Sequence, residues 1–286
     1  MTTKIDNIIN RIVDAFDGVS GINAVVLGGS RATGTANAAS DIDIGIYYDE
    51  ALFDITSFKT KAAAIDDEHR EDAISDLGDW GPWINGGGWL KIDGIAVDIL
   101  FRNTGKVIAV LDDCLNGKIS IDYQCGHPFG FVNSIYLGEV AYCKILRSNN
   151  ALISEQKSRL KEFPETYRKA VINKFLWECD FSLMCGRKAI VKEDIIYAAG
   201  SLFRCVVSLL QVLYAVNGMY MLNEKGSLDR LLKQQNVYIP ENLASDVPSS
   251  LSGLREDSLQ ISFDKIQEQY NAILRKCRMI NYAAHI

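Results

Sequence analysis

The sequence predicts an α+β protein: a mixed sheet with flanking helices over residues 1–130, then a helical bundle domain over residues 131–286. Three observations carry this. Short apolar runs ending in glycine turns recur before residue 130, as strands do. They alternate with stretches whose apolar residues return every three or four positions. After Phe129 the strand signals almost vanish and helical periodicity takes over.

The elements follow in order. "KIDNIINRIVDAF" sets Ile5, Ile8, Ile9, Ile12, Val13 and Phe16 at helical spacing. "INAVVLGGS" is an apolar strand that runs into a glycine turn, and "DIDIGIYYD" is a second strand. Residues 51–75 read as helical. "GGGWLKIDGIAVDILFRN" reads as two strands joined at Asp93-Gly94, a hairpin signal. "TGKVIAVLDDCL" is a helix. Beyond the boundary, "SIYLGEVAYCKILR" and the stretches 164–187, 192–222 and 256–280 carry helical periodicity. "YIPENLASDVPSSLSG" reads as a polar, proline-bearing loop.

Composition narrows the function. The net charge is −6 and no lysine–arginine run is long enough to form a basic stripe. That argues against a polynucleotide as main partner, since phosphate backbones are held by lysine and arginine. It fits a small cationic substrate or simple solubility. Seven cysteines stand in no Cys-x-x-Cys pattern beside three histidines, so no zinc site of usual spacing is expected. Scattered thiols of this kind predict a reducing, cytoplasmic setting. The N-terminal "MTTKIDNIINRIVDAF" has no apolar core of the signal-peptide kind. The uncharged run Cys205–Asn223 is interrupted by Ser208, Gln211, Asn217 and Gly218, and reads as a buried helix, with no membrane span expected.

The chemistry concentrates in "GGSRATGTANAASDIDIGIYY", residues 28–48. Strand side chains alternate, so Asp41 and Asp43 share one face and Ile42 and Ile44 the other. Two carboxylates on one face repel, and neither is readily buried alone. A divalent cation offsets that cost, and magnesium takes carboxylate and phosphate oxygens. Gly28, Gly29 and Ser30 form a turn whose N–H and hydroxyl groups can face phosphate. A third carboxylate, Asp98, sits in the apolar run "GIAVDILF". The turn is not a P-loop, because no lysine follows Gly34. Separately, each feature has a plain reading: a turn, a solvated strand end, an edge-strand charge. Their conjunction points to a metal–phosphate site.

These residues resemble the signature of the DNA polymerase β-type nucleotidyltransferase superfamily. An apolar residue, a Gly-Gly-Ser turn and a spacer precede Asp-apolar-Asp-apolar, and Asp98 in "AVDILF" matches the third carboxylate. The pattern is similar to that of the antibiotic nucleotidyltransferases acting on aminoglycosides and lincosamides, where a helical domain also follows. The resemblance implies transfer of a nucleoside monophosphate, AMP from ATP or another triphosphate, to a hydroxyl, with pyrophosphate leaving. It implies two magnesium ions on Asp41, Asp43 and Asp98. Gly29 and Ser30 would hold phosphates, Arg31 would add charge, and Ser40 would donate a hydrogen bond or merely start the strand.

In kanamycin-type members a glutamate on the first helix of the second domain takes the acceptor proton, and a nearby lysine contacts phosphate. Here "YLGEVAYCKIL" offers Glu139 and Lys144, one residue off that family's spacing. His127 in "GHPFG" and Lys225 are further candidates with ordinary structural alternatives. In-line attack then predicts the acceptor in the cleft between the α/β domain and the helices after residue 130, with Glu139 facing Asp98 across it. The acidic stretch "DDEHREDAISDLGDW" would suit a polycationic acceptor or be a solvated face. Trp80, Trp83 and Trp89 would wall a sugar or base, or fill the core. The expected partners are a triphosphate and a small hydroxylated acceptor, so the chain would confer antibiotic resistance. The alternatives are a nucleotidyltransferase acting on a macromolecule, such as an antitoxin-type protein adenylyltransferase or a tRNA-directed enzyme, and a nucleotide-binding module without catalysis.

Overall fold

The computed structural model describes residues 3–252, 254–255 and 258–282. Its elements run α1 (Lys4–Ala15), β1 (Ile22–Leu27), α2 (Gly29–Thr33), β2 (Ile42–Tyr48), α3 (Ile55–Ile65), β3 (Gly87–Ile92), β4 (Ile95–Asn103), α4 (Thr104–Leu115), β5 (Ile121–Asp122), β6 (Phe131–Val132), α5 (Ile135–Tyr142), β7 (Lys144–Ser148) and α6 (Leu152–Arg159). The helices α7 (Glu165–Val191), α8 (Ile195–Val216), α9 (Ser227–Leu232), α10 (Leu243–Ser252) and α11 (Leu259–Met279) follow. The chain divides into two compact units. One comprises Met1–Asp112, Tyr123–Gly126 and Tyr136–Glu162, the other Asp113–Asp122, His127–Ile135 and Phe163–Ile286.

The first unit is built on a five-stranded mixed sheet in the order β3-β4-β2-β1-β7. Only β2 and β4 run parallel; the other neighbours are antiparallel. Alternation decides the faces. Ile42, Ile44, Ile46 and Tyr48 of β2 and Val97, Ile99 and Phe101 of β4 are buried in one core cluster. The apolar stripe of α1 (Ile8, Ile9, Ile12, Phe16) and that of α3 (Phe58, Ala62, Ile65) close that cluster. Phe16 and Phe58 stack with ring centroids 4.1 Å apart. The expected hairpin is present: Ile92 pairs with Ile95, and Asp93 and Gly94 take φ of 50° and 78°, which a two-residue turn of this hand requires.

The strand β3 lies at the sheet edge, and its outer groups are met by a short loop. Lys91 N–H donates to Asp66 Oδ1 at 2.8 Å, and Asp67 N–H donates to Lys91 O at 2.7 Å. Arg70 donates to both oxygens of Asp66 and, at 2.9 Å, to the carbonyl of Trp89. The Asp66 side chain is fully buried. Arg70's hydrogen bonds, helped by the Lys91 N–H, hold its carboxyl well below the usual carboxylate range despite burial.

The second unit is helical. α8 is its central helix, with Ala198, Ser201, Leu202 and every residue from Cys205 to Ala215 buried. It is the one helix among the described residues long and apolar enough to cross a membrane by length and composition. Its burial is that of a core helix. α7 and α11 come close at Gly186, where a Cβ would lie 2.2 Å from the Phe263 ring. Arg204 and Glu178 join α8 to α7 at 2.7 Å. All seven cysteines are free thiols.

Three elements differ from expectation. The helix read across "SIYLGEVAYCKILR" stops at Tyr142, and Lys144–Ser148 is a strand on the open edge of β1. Lys157 ends α5 by donating to the carbonyls of Ala141 at 2.5 Å and Cys143 at 2.8 Å. A five-residue run does not distinguish a period of two from one of 3.6. Second, the helix expected over 51–75 spans only Ile55–Ile65, with Asp54 capping its start, and the residues after it form the loop around Asp66. Third, the "loop" near residue 245 holds α10, which tolerates Pro248 because Leu243, Val247 and Ser250 bury one face.

Asp66 yields a pH prediction. Its folded pKa lies below its unfolded one, so its stabilisation is complete above the unfolded value near about 3.9. It is lost as pH falls through the folded value. Asp66→Asn is expected to lower the unfolding free energy by about 2 kcal/mol at pH 7, because it weakens the charge-assisted hydrogen bonds between a buried carboxylate and the part-exposed Arg70. In urea titrations the gap from the wild type should narrow steadily below about pH 4.

Candidate active site

The carboxylates stand on the face of the sheet opposite the α1–α3 core. β2 and β4 pair with Asp43 directly beside Asp98. Their neighbours Ile42, Ile44, Val97 and Ile99 are fully buried, so alternation turns both aspartates to the other face, where both are half-buried. Asp41 lies two residues ahead of Asp43, just before β2 begins at Ile42, and is also half-buried.

The row continues on both sides. Gly28 N–H donates to Asp43 O at 2.8 Å, extending the β1·β2 register by one residue. Trp89 of β3 pairs with Asp98. Gly28, Asp43, Asp98 and Trp89 thus form one line across four strands, about 14 Å long at ~4.8 Å per strand.

The glycine turn is laid against the carboxylate. Gly29 has φ of 55°, and a Cβ there would come within 1.8 Å of Asp43 Oδ2. Only glycine permits that approach. Ser30 follows in α2. Arg31 braces the turn to the strand start: its Nε donates to Asp41 O at 2.7 Å and its Nη2 to Ser40 O. The Ser40 hydroxyl accepts from Asn37 N–H at 2.9 Å. Lys144 reaches the same turn, with its ammonium 3.3 Å from Arg31 O. Gly29, Ser30, Arg31, Ser40 and Lys144 therefore gather beside Asp41 and Asp43.

Among the described residues no three His, Cys, Asp or Glu side chains converge on a single ion position. The donor chemistry still fits magnesium. It offers hard carboxylate oxygens, and magnesium usually completes its octahedron with water and substrate phosphates instead of a full protein cage. The missing Cβ of Gly29 keeps the space at Asp43 open. A surface hollow of about 560 Å³ lies elsewhere, along α3 and His69, and holds none of these carboxylates.

Glu139 has a partner that sequence spacing does not show. Both its oxygens accept from Arg102, at 2.6 and 2.7 Å. Arg102 shares the face of Asp98 but lies four residues further along β4, about 13 Å by strand rise. Its side chain is 3% exposed. Burial pulls its pKa down, and the charge and hydrogen bonds of Glu139 more than reverse this. Tyr47, four residues beyond Asp43, is buried there too, and burial first, then the charge of Glu139, pushes its pKa well up. Arg102 and Tyr47 escape sequence reasoning because each looks like one more strand residue. Their signal is phase: both keep step with the aspartates.

His127 sits elsewhere, whereas two of the tryptophans join the carboxylate row. His127 belongs to the second unit, packed edge-on to Phe131 with its Nδ1 3.6 Å from Glu224 Oε2. Lys106 covers the ring of Trp83 at 4.4 Å. Trp80 and Trp89 stack on the carboxylate face at 4.6 Å.

A mixed sheet carrying a glycine turn and in-register carboxylates on its open face defines a nucleotidyltransferase fold. The comparison with known families agrees: residues 6–107 match the family described as nucleotidyltransferase domain, a span that includes the turn and all three aspartates. This part of the chain is a nucleotidyltransferase domain that fits the DNA polymerase β-type superfamily, and nucleotidyl transfer is the activity the match supports. Among solved structures the chain is similar to the crystal structure of a nucleotidyltransferase-like protein from Exiguobacterium sibiricum, at 10% identity and a TM-score of 0.43. The likeness covers 92% of this chain and 73% of that one. No curated protein matches the sequence significantly.

The Arg102–Glu139 pair makes a stability prediction. Glu139→Ala strands a buried guanidinium and should cost about 3–5 kcal/mol, seen as a lower urea midpoint. Lost turnover at unchanged midpoint would place Glu139 in the chemistry instead.

Proposed function

We propose that the chain transfers AMP from ATP, with magnesium, to a hydroxyl of a small antibiotic-like acceptor and releases pyrophosphate. One observation carries this: the row in which the Gly28–Ser30 turn, Asp43 and Asp98 stand side by side. It supports a triphosphate lying along the sheet, its β- and γ-phosphates at the turn and its α-phosphorus at the carboxylates.

In this reading the N–H groups of Gly29 and Ser30 and the Lys144 ammonium hold the terminal phosphates. Arg31 and Ser40 keep the turn fixed against the start of β2. Asp41, Asp43 and Asp98 would hold two magnesium ions, which when bound supply positive charge to the triphosphate and lower the pKa of the attacking hydroxyl. Asp98 orients that hydroxyl and accepts its proton. The acceptor oxygen forms a bond to the α-phosphorus, the bond to the bridging oxygen breaks, and pyrophosphate leaves with the electron pair. Glu139, engaged on both oxygens by Arg102, holds the far half of the face together.

The test is incubation with labelled ATP, GTP, CTP or UTP, magnesium, and a panel of aminoglycosides and lincosamides, following pyrophosphate release. Activity with none of them would sink the acceptor class. Asp43→Asn is expected to lower kcat by on the order of 10³-fold, since several kcal/mol of charge stabilisation depends on that carboxylate. Its melting temperature without nucleotide should be unchanged or higher, because the repulsion with Asp98 is gone. Near-normal turnover in this variant would refute the role.

A further inference from the structure

We infer that the stacked Trp80–Trp89 pair is the acceptor platform, taking the apolar face of a sugar ring whose hydroxyl attacks at the carboxylates. This rests on the nucleotidyl-transfer reading and adds the acceptor's place and chemistry to it.

The platform is built, not left over. Gly88, Leu90 and Ile92 of β3 turn into the core, and Trp89 turns the other way with 62% of its surface exposed. Trp80 folds back over Gly87, where a Cβ would meet its ring at 3.0 Å and the Ile99 carbonyl at 1.9 Å. The two indoles then lie nearly parallel, 25° apart. Arg70, itself locked on Asp66, grips the Trp89 carbonyl at 2.9 Å. An indole so exposed forgoes the burial that its area would reward, and its rigidity suits a ligand that finds the surface already formed.

Position says which ligand. The phosphate turn stands at one end of the row, the carboxylates in the middle and Trp89 at the other end. Displacement at phosphorus is in line, so the attacking oxygen enters opposite the departing pyrophosphate. The nucleoside is bonded to the same phosphorus but off that line. The end of the row opposite the turn therefore belongs to the acceptor. One strand step, ~4.8 Å, separates Trp89 from Asp98. A six-membered ring lying on the indole brings an edge hydroxyl to that carboxylate.

Chemistry narrows it further. An indole face accepts the C–H face of a sugar and attracts an ammonium where the sugar carries one. A polynucleotide acceptor would bring its phosphates beside Asp98 and Asp43 on a chain of net charge −6, which like-charge repulsion opposes.

The experiment is titration calorimetry with magnesium and α,β-methylene-ATP. The probes are kanamycin, lincomycin and a short RNA, on the wild type, Trp89→Ala and Trp89→Phe. Trp89→Ala should weaken the glycoside about tenfold, and Trp89→Phe should recover most of that loss. Nucleotide affinity and melting temperature should not change. Equal glycoside affinity in Trp89→Ala overturns the platform. Trp89-dependent nucleotide binding would make the stack a base site, and Trp89-dependent RNA binding would make the acceptor a polynucleotide; either overturns it. A wild type that binds nucleotide but neither glycoside overturns it and leaves nucleotidyl transfer standing. A wild type that binds no nucleotide sinks the transfer reading itself, and the platform with it.

Discussion

The parallel, in-register pairing of β2 with β4 is the contact on which the site depends. It sets Asp43 beside Asp98. A slip of one residue would turn Asp98 into the core and bring Val97 or Ile99 to the open face. What prevents the slip is the other side of the same strands. Ile42, Ile44 and Ile46 interlock with Val97, Ile99 and Phe101 in a core that leaves them no exposure. Two carboxylates side by side repel, so this pairing is unfavourable on the open face and favourable on the buried one. The larger apolar term decides, and the charges are held at a spacing they would not choose. A divalent cation would relieve that repulsion, which makes the arrangement receptive to a cation and, through the cation, to a phosphate chain.

The same face changes character along its length. Near the start of β2 and the middle of β4 it carries Asp43 and Asp98, both half-buried. Four residues further on it carries Tyr47 and Arg102, both buried. A buried guanidinium is tolerable only with its charge met, and Glu139 meets it with both oxygens. The pair lets α5 cover the polar half of a sheet face without an orphaned charge. One strand thus supplies a core face, an open charged site and a buried ion pair, separated only by phase and by rise.

Much of this was legible in the residues, for reasons that can be named. Ile-Asp-Ile alternation and the apolar run around Asp98 identify two strands with opposed faces, and Asp93-Gly94 announces the hairpin that carries Asp98. The Gly-Gly-Ser turn signals a close backbone approach, which needs glycine; the structure shows one such approach, Gly29 against Asp43 Oδ2. Strand order is not legible. Nothing local in "KILRS" says that it adds to the free edge of β1, since that depends on an edge made by residues about 120 positions earlier. Glu139 has the same history. Its helix is evident, but its partner Arg102 is 37 residues away, and only the fold joins them. Trp89 is ambiguous in sequence because an indole suits core and ligand alike; register and exposure place it outside the core.

The edge strand shows how specificity and stability can be kept apart. An edge leaves unpaired backbone groups that invite association. Here Asp66 and Arg70 occupy those groups of β3 from a loop, and the loop's other side chains, Glu68, Glu71 and Asp72, remain exposed. The register of β3 is thus held twice: from inside by Leu90 and Ile92 in the core, and from outside by a carboxylate and a guanidinium. Trp89 lies between these two anchors. Changing the exposed residues of the loop or the indole leaves both anchors in place, whereas changing Asp43 or Asp98 alters the charge at the centre of the row. In the proposed reading a scaffold of this kind would fix the position of the transferred phosphorus through the core and leave acceptor contacts to an edge that can vary without unfolding it.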